Sequence, residues 1–214
     1  MNQKLTTSLV CLSLISCFAM KASPLQSQSS SSQGRPAELP TVQDPDEYAV
    51  WSAVLSKKFD RGSLQRLVIK DRTSIDARAK DFRKFESLSE AAVSDLRVKN
   101  EGKYTLENKF SVKPLCILIS PETESRLFPF ASITVLDSEA IEKIRSSWDK
   151  FYQECPGAQG VLTISPVCFN SDKSQAVVYM TNKVSLMIGS GKLFLLAKKR
   201  GIWEIQKEEL IWLS

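Results

Sequence analysis

The sequence predicts an α+β fold in which N-terminal helices pack on a curved C-terminal antiparallel sheet, a meander. Apolar residues recur every three to four positions early in the folded region, which is typical of amphipathic helices. Residues 161–206 instead contain four successive segments rich in β-branched and aromatic residues, which is typical of strands. Helices followed by consecutive strands favour α+β over alternating βαβ units.

The first predicted helix begins at Asp44, whose side chain can cap it. Pro45 then occupies the first helical position, where its missing N–H costs nothing, and Glu47 lies three residues after the cap. The apolar face of this helix consists of Tyr48, Trp51, Val54, Leu55 and Phe59.

Two further helices are predicted. A weaker one begins at Ser89 and ends near residues 100–102, and another begins at Asp137 or Ser138 and ends before Pro156-Gly157. The second of these carries Trp148 and Phe151 on its apolar face, and we expect both rings to pack on the sheet.

The predicted strands fall into an early and a late group. Residues 67–69, 115–119 and 133–136 are short apolar runs in the first part of the domain. The meander consists of residues 161–169, 175–181, 192–199 and 202–206, and residues 210–213 add a last strand.

The N-terminus predicts export. Lys4 precedes an apolar stretch over residues 5–20 that is interrupted by Ser and Thr and is too short to span a bilayer. A basic residue, a short apolar run and small residues near its end make up a secretory signal peptide, assigned here to residues 1–22.

Residues 14–17, Leu-Ile-Ser-Cys, resemble the lipobox of bacterial lipoproteins. That resemblance implies cleavage immediately before Cys17 and a lipid on its thiol. The alternative is ordinary cleavage after Ala19 or Ala22, which leaves a soluble secreted protein. Residues 23–43 are rich in Ser, Gln and Pro and predict a disordered tether, and residues 44–214 predict one α+β domain.

The charge pattern is compatible with phosphate-bearing partners. Residues 57–84 contain ten Lys and Arg against four Asp, so this stretch can meet lipid phosphates or polyanionic wall polymers, although a solvated charged face explains it equally simply. Nucleic acid is excluded as a partner, because the chain is exported and the stretch lacks interleaved aromatic residues.

No catalytic, cofactor-binding or metal-binding residue is predicted. The chain has no His, which removes Ser-His and Cys-His nucleophiles and His-based zinc sites. The acidic clusters, Glu122 with Glu124 and Glu204 with Glu208 and Glu209, contain no pair at a spacing that predicts an active site. Gly189-Ser190-Gly191 is interpreted as a loop between strands and not as an anion-binding nest.

The cysteines predict one disulfide. Cys155 and Cys168 are thirteen residues apart, beyond a helix end and near a strand end, in a compartment that permits disulfides. The alternatives are two independent thiols, or a bridge that involves Cys116.

A further resemblance covers most of the mature domain. Its residues include Trp148, Pro156-Gly157, Gly160, Ser165, Phe169-Asn170, Val178-Tyr179, Gly189, Gly191 and Gly201 with Trp203. With these the chain resembles an uncharacterised group of exported bacterial proteins. The resemblance implies export and brings no known activity with it.

Together these observations predict an exported, lipid-anchored binding or assembly module of the bacterial cell envelope. Its partner would be a protein or an envelope polymer, with the membrane reached through Cys17. The alternatives are an exported hydrolase that works without His, and an inhibitor of another exported enzyme.

Overall fold

The computed structural model describes residues 38–60, 65–75, 95, 98–99, 102–129 and 137–214. The helices are α1 (Pro45–Phe59), α2 (Pro121–Leu127) and α3 (Ser138–Glu154). The strands are β1 (Arg66–Lys70), β2 (Leu115–Ile119), β3 (Ala158–Ile164), β4 (Cys168–Phe169), β5 (Gln175–Lys183), β6 (Gly189–Lys199) and β7 (Ile202–Leu213). The predicted signal peptide with Cys17 and the predicted strand 133–136 lie outside the described residues, as do most of the tether and most of the helix predicted to begin at Ser89.

The α+β class is confirmed, and the sheet is mixed. Its strand order is β2-β1-β3-β5-β6-β7, with β4 paired to β5. The later strands form the predicted antiparallel meander, whereas β1 runs parallel to both β2 and β3. The connection from β1 to β3 contains α2 and α3, and parallel neighbours need a long crossover of this kind.

The helix ends follow the predicted caps. Asp44 accepts a hydrogen bond from the Asp46 N–H at 2.9 Å at the start of α1, and Asp137 accepts one from the Ala140 N–H at 2.7 Å at the start of α3. Helix α2 was not predicted, although Ser120 caps it and Pro121 occupies its first turn.

Helices cover both faces of the sheet, with α1 on one face and α3 on the other. Leu67 and Ile69 of β1 pack with Trp51 and Leu55 of α1. Val68 points to the opposite face, since side chains alternate along a strand, and it packs in a cluster with Trp148 and Phe151 of α3. The expected packing of these two rings on the sheet is therefore confirmed, through Val68 of β1 and Val161 of β3.

Two strands differ from their predicted bounds. The segment 161–169 divides into β3 and β4 at Ser165-Pro166. The Ser165 N–H still donates to the Tyr179 C=O and its hydroxyl accepts from the Tyr179 N–H, both at 2.9 Å, whereas Pro166 has no N–H to donate to β5. Residues 202–206 and 210–213 are one strand, β7, which absorbs two register irregularities against β6.

The sheet has two distinct ends. At the hairpin end, β5 ends, residues 184–188 form a loop, β6 begins and β7 ends. At the entry end, β1 and β3 end, and the chain arrives from its N-terminal side through Pro40, whose C=O accepts a hydrogen bond from the Thr105 N–H. The tether is shorter than predicted, since Val42 is already buried in the core.

Candidate binding surface

The acidic residues singled out from the sequence are spread over the fold in separate ion pairs. Glu124 pairs with Lys70 at 2.5 Å, and Glu204 pairs with Lys199 at 3.3 Å. Glu208 lies between Lys58 and Lys192. These carboxylates stabilise local packing and do not converge on one point.

A second group of charges surrounds the start of α1, where Asp44 and Glu47 were identified from the sequence only as capping residues. Asp44 pairs with Lys173 at 2.7 Å and Asp46 with Lys198 at 2.7 Å. The ammonium of Lys173 lies 5.2 Å from the centre of the Phe169 ring, within cation–π range. Hydrogen bonding to Lys198 holds the pKa of Asp46 below its ordinary value.

Glu47 is the most buried carboxylate of this group. Its side chain is only 11% exposed, and its Oε1 lies 3.4 Å from Nζ of Lys99. Lys99 also donates to the C=O of Val167 at 3.0 Å and lies 3.6 Å from Asp95. Burial raises the pKa of Glu47, although Lys99 opposes that shift.

A buried carboxylate beside a lysine is the pairing that acid–base chemistry would use. None of the three described clefts is lined by Glu47, Asp95 or Lys99, so none of these clefts would bring a substrate to the pair. The lysines come from three separate segments and converge on one helix start. In this geometry their ion pairs stabilise the packing of α1 on the entry end of the sheet.

The hairpin end carries a different surface, which is apolar and exposed. Met187 is 68% exposed and Ile188 57% exposed, both in the loop between β5 and β6. Leu213, 73% exposed, lies beside them because Gly189 and Ser214 exchange two main-chain hydrogen bonds. We call Met187, Ile188 and Leu213 the apolar tip.

A cleft of about 280 Å³ borders the apolar tip. One wall is α3, with Ile141, Trp148 and Tyr152, and the other is the loop that contains Leu186 and Met187. The hydroxyl of Tyr152 donates to the C=O of Val184 at 2.8 Å and fixes the loop against the helix. Neighbouring exposed apolar side chains beside a formed cleft are typical of an interaction surface.

The residues of the tip were not identified from the sequence. The signal was present, because residues 184–188 contain Leu, Met and Ile where a hairpin usually has Gly, Asn or Asp. Gly189-Ser190-Gly191, interpreted as the loop, are instead the first residues of β6 and pair with β5. They cannot form an anion nest in that conformation.

The predicted disulfide between Cys155 and Cys168 is wrong, because the two residues lie at opposite ends of β3. Cys155 caps α3 just before β3, whereas Cys168 follows it and pairs with Val177 of β5. The seven extended residues of β3 span about 23 Å at about 3.3 Å each, far beyond the roughly 7 Å that a bridge allows between Cα atoms. Both residues are free thiols, as is Cys116.

No helix within the described ranges is both long and apolar enough to cross a membrane. The same ranges contain no group of three or more His, Cys, Asp or Glu placed to hold a metal ion. Comparison of the chain with protein-family models, curated proteins and solved structures finds no match.

Proposed function

We propose that this protein is a lipid-anchored binding module of the bacterial cell envelope, which contacts a partner protein through the apolar tip. The observation that carries the proposal is the grouping of Met187, Ile188 and Leu213 at one end of the sheet. Burying a side chain of this size contributes about 1.5–3 kcal/mol to the free energy of binding. Three such side chains together can form the apolar centre of a small protein–protein interface.

The cleft beside the tip favours a protein over the bilayer as its occupant. A formed cleft of about 280 Å³ next to exposed apolar side chains can receive a projecting side chain, which a partner protein offers and a bilayer surface does not.

Lipidation is tested by metabolic labelling with a fatty-acid probe in the bacterium that produces the chain. We expect Cys17→Ala to abolish labelling and Cys11→Ala, a matched thiol in the same apolar run, to retain it. Several acyl chains anchor a domain stably, so Cys17→Ala should also release the protein from the membrane fraction. Labelling that survives in Cys17→Ala contradicts the anchor.

The contact surface is tested by placing a photocrosslinking amino acid at Met187 in intact cells. We expect one discrete adduct, which disappears when Ile188→Asp is added. The control places the same group at Leu115, an equally exposed apolar residue of β2 at the opposite edge of the sheet. An adduct of the same size from both positions, or an adduct insensitive to Ile188→Asp, contradicts the proposed surface.

A further inference from the structure

The free edge of the sheet is β7, the last strand in the order. It follows β6 through a two-residue turn, Arg200-Gly201, in which both residues have positive φ, 51° and 82°. Two positive φ values in a two-residue loop define a type I′ hairpin. Such a loop closes on a hydrogen-bonded pair, here Lys199 with Ile202.

That closure fixes which main-chain groups of β7 face outward. Hydrogen-bonded and non-hydrogen-bonded pairs alternate along an antiparallel ladder. Trp203, opposite Lys198, and Ile205, opposite Leu196, therefore belong to non-hydrogen-bonded pairs. Their N–H and C=O groups point away from β6, and no other described segment hydrogen-bonds to them.

A groove of about 640 Å³ runs beside this edge. Helix α1 forms one wall with Ala53, Ser56, Lys57 and Asp60, and residues 203–205 of β7 form the other. The side chains of Trp203 and Ile205 pack in the core under α1. The groove thus combines a helix wall with an open strand edge.

The charges of the groove leave one cation uncompensated. Asp60 pairs with Lys113 at 2.9 Å and Glu204 with Lys199 at 3.3 Å. Lys57 is exposed and has no ion-pair partner in the part of the chain that the structure describes. A ligand in this groove therefore binds more tightly if it places a negative charge near Lys57.

The rest of the edge is protected against pairing. A register irregularity follows Ile205, and a second lies between Leu210 and Trp212. Charged residues at 207–209 separate the two. Irregularities and charges are the usual means by which proteins block edge strands, and residues 202–205 have neither a bulge nor a Pro among them.

We propose that residues 202–205 of β7 accept an extended peptide segment of a partner protein, which adds to the sheet as a strand in this groove and places an acidic side chain near Lys57. Main-chain hydrogen bonds to Trp203 and Ile205 supply affinity, and the charge contact supplies preference, as in other cases of strand addition. This site is separate from the apolar tip and does not depend on its function.

The test uses the ¹⁵N-labelled full-length chain and a blocked synthetic hexapeptide of alternating Thr and Val with one central Glu. We expect saturable NMR shifts at the amides of Trp203 and Ile205. Methylating alternate peptide nitrogens should abolish them, because the added strand then loses its hydrogen bonds. Replacing the peptide Glu with Lys should weaken binding about threefold, the range of one exposed ion pair.

A charge exchange makes the test specific. Lys57→Glu should reverse the preference, so that the Lys peptide binds more tightly than the Glu peptide. Lys183→Glu, at the hairpin end, should leave it unchanged. The proposal is overturned if no NMR shifts appear at millimolar peptide, if the shifts persist with the methylated peptide, or if Lys57→Glu leaves the peptide preference unchanged.

Discussion

Gly160 is the position where one added methyl group should damage the sheet most directly. Its φ is +105°, which L side chains rarely adopt, and an added Cβ would lie 2.2 Å from the main-chain oxygen of Lys183 in β5. The oxygen belongs to the partner strand and cannot move without breaking the ladder between β3 and β5. We therefore expect Gly160→Ala to be strongly destabilising.

The magnitude has two parts. A positive φ costs an L residue about 1–2 kcal/mol, and overpacking adds roughly 1–3 kcal/mol, so the free energy of unfolding should fall by about 2–5 kcal/mol. Gly201→Ala isolates the first part, because Gly201 has φ +82° and no heavy atom lies within 4 Å of its added Cβ. Its expected cost is about 1–2 kcal/mol.

Urea unfolding monitored by tryptophan fluorescence measures both variants. With a slope of about 2 kcal/mol/M, the midpoint should fall by about 1–2.5 M for Gly160→Ala and by less than about 1 M for Gly201→Ala. Equal midpoints for the two variants would refute the steric argument and with it the close approach of β3 to β5.

Three further predictions follow from buried groups. Lys99→Met should destabilise the fold by about 2 kcal/mol at neutral pH, because it leaves the buried carboxylate of Glu47 without its charged partner. The raised pKa of Glu47 means that folding favours its protonated form. The stability lost in Lys99→Met should therefore shrink as the pH falls below that pKa, because the buried carboxyl is then neutral. A loss of stability that is constant from pH 4 to 7 in thermal unfolding contradicts this prediction. Phe151→Ala should cost about 3–5 kcal/mol in urea unfolding, since the ring is fully buried between α3 and the sheet; a loss below about 1 kcal/mol would show that the ring is not in that core. Burial raises the pKa of all three described thiols, that of Cys116 to about 11, but only Cys155 is partly exposed. A thiol reagent at pH 8 should therefore modify Cys155 before Cys116 and Cys168, as mass spectrometry of digested protein can determine; slower reaction at Cys155 than at Cys168 contradicts the placement.

The helices and the meander could be predicted because their signals are local. The caps at Asp44 and Asp137 and the apolar spacing of α1 and α3 each depend on a few adjacent residues. Strand composition likewise located β3, β5, β6 and the start of β7.

What could not be predicted depends on contacts between distant segments. Whether Leu67 or Val68 faces α1 is decided by the order of strands, and alternation alone allows either. The disulfide prediction was wrong for the same reason. The separation of Cys155 and Cys168 in sequence does not reveal that the extended strand β3 lies between them. The apolar tip needs the hairpin and the end of β7 together, and Leu213 joins Ile188 only through that pairing.

The central claim, that the apolar tip binds a partner protein in the envelope, is tested most directly by binding of the purified chain to envelope membranes from cells that lack it. Cys17→Ser excludes the proposed lipidation of the purified chain, so that any association comes from the fold. We expect saturable binding that is lost in Ile188→Asp, retained in Leu115→Asp, an equally exposed apolar position on the opposite edge strand, and abolished when the membranes are first treated with protease. Equal binding by both Asp variants, or binding that survives protease and is reproduced by vesicles of the envelope lipids alone, would contradict the account.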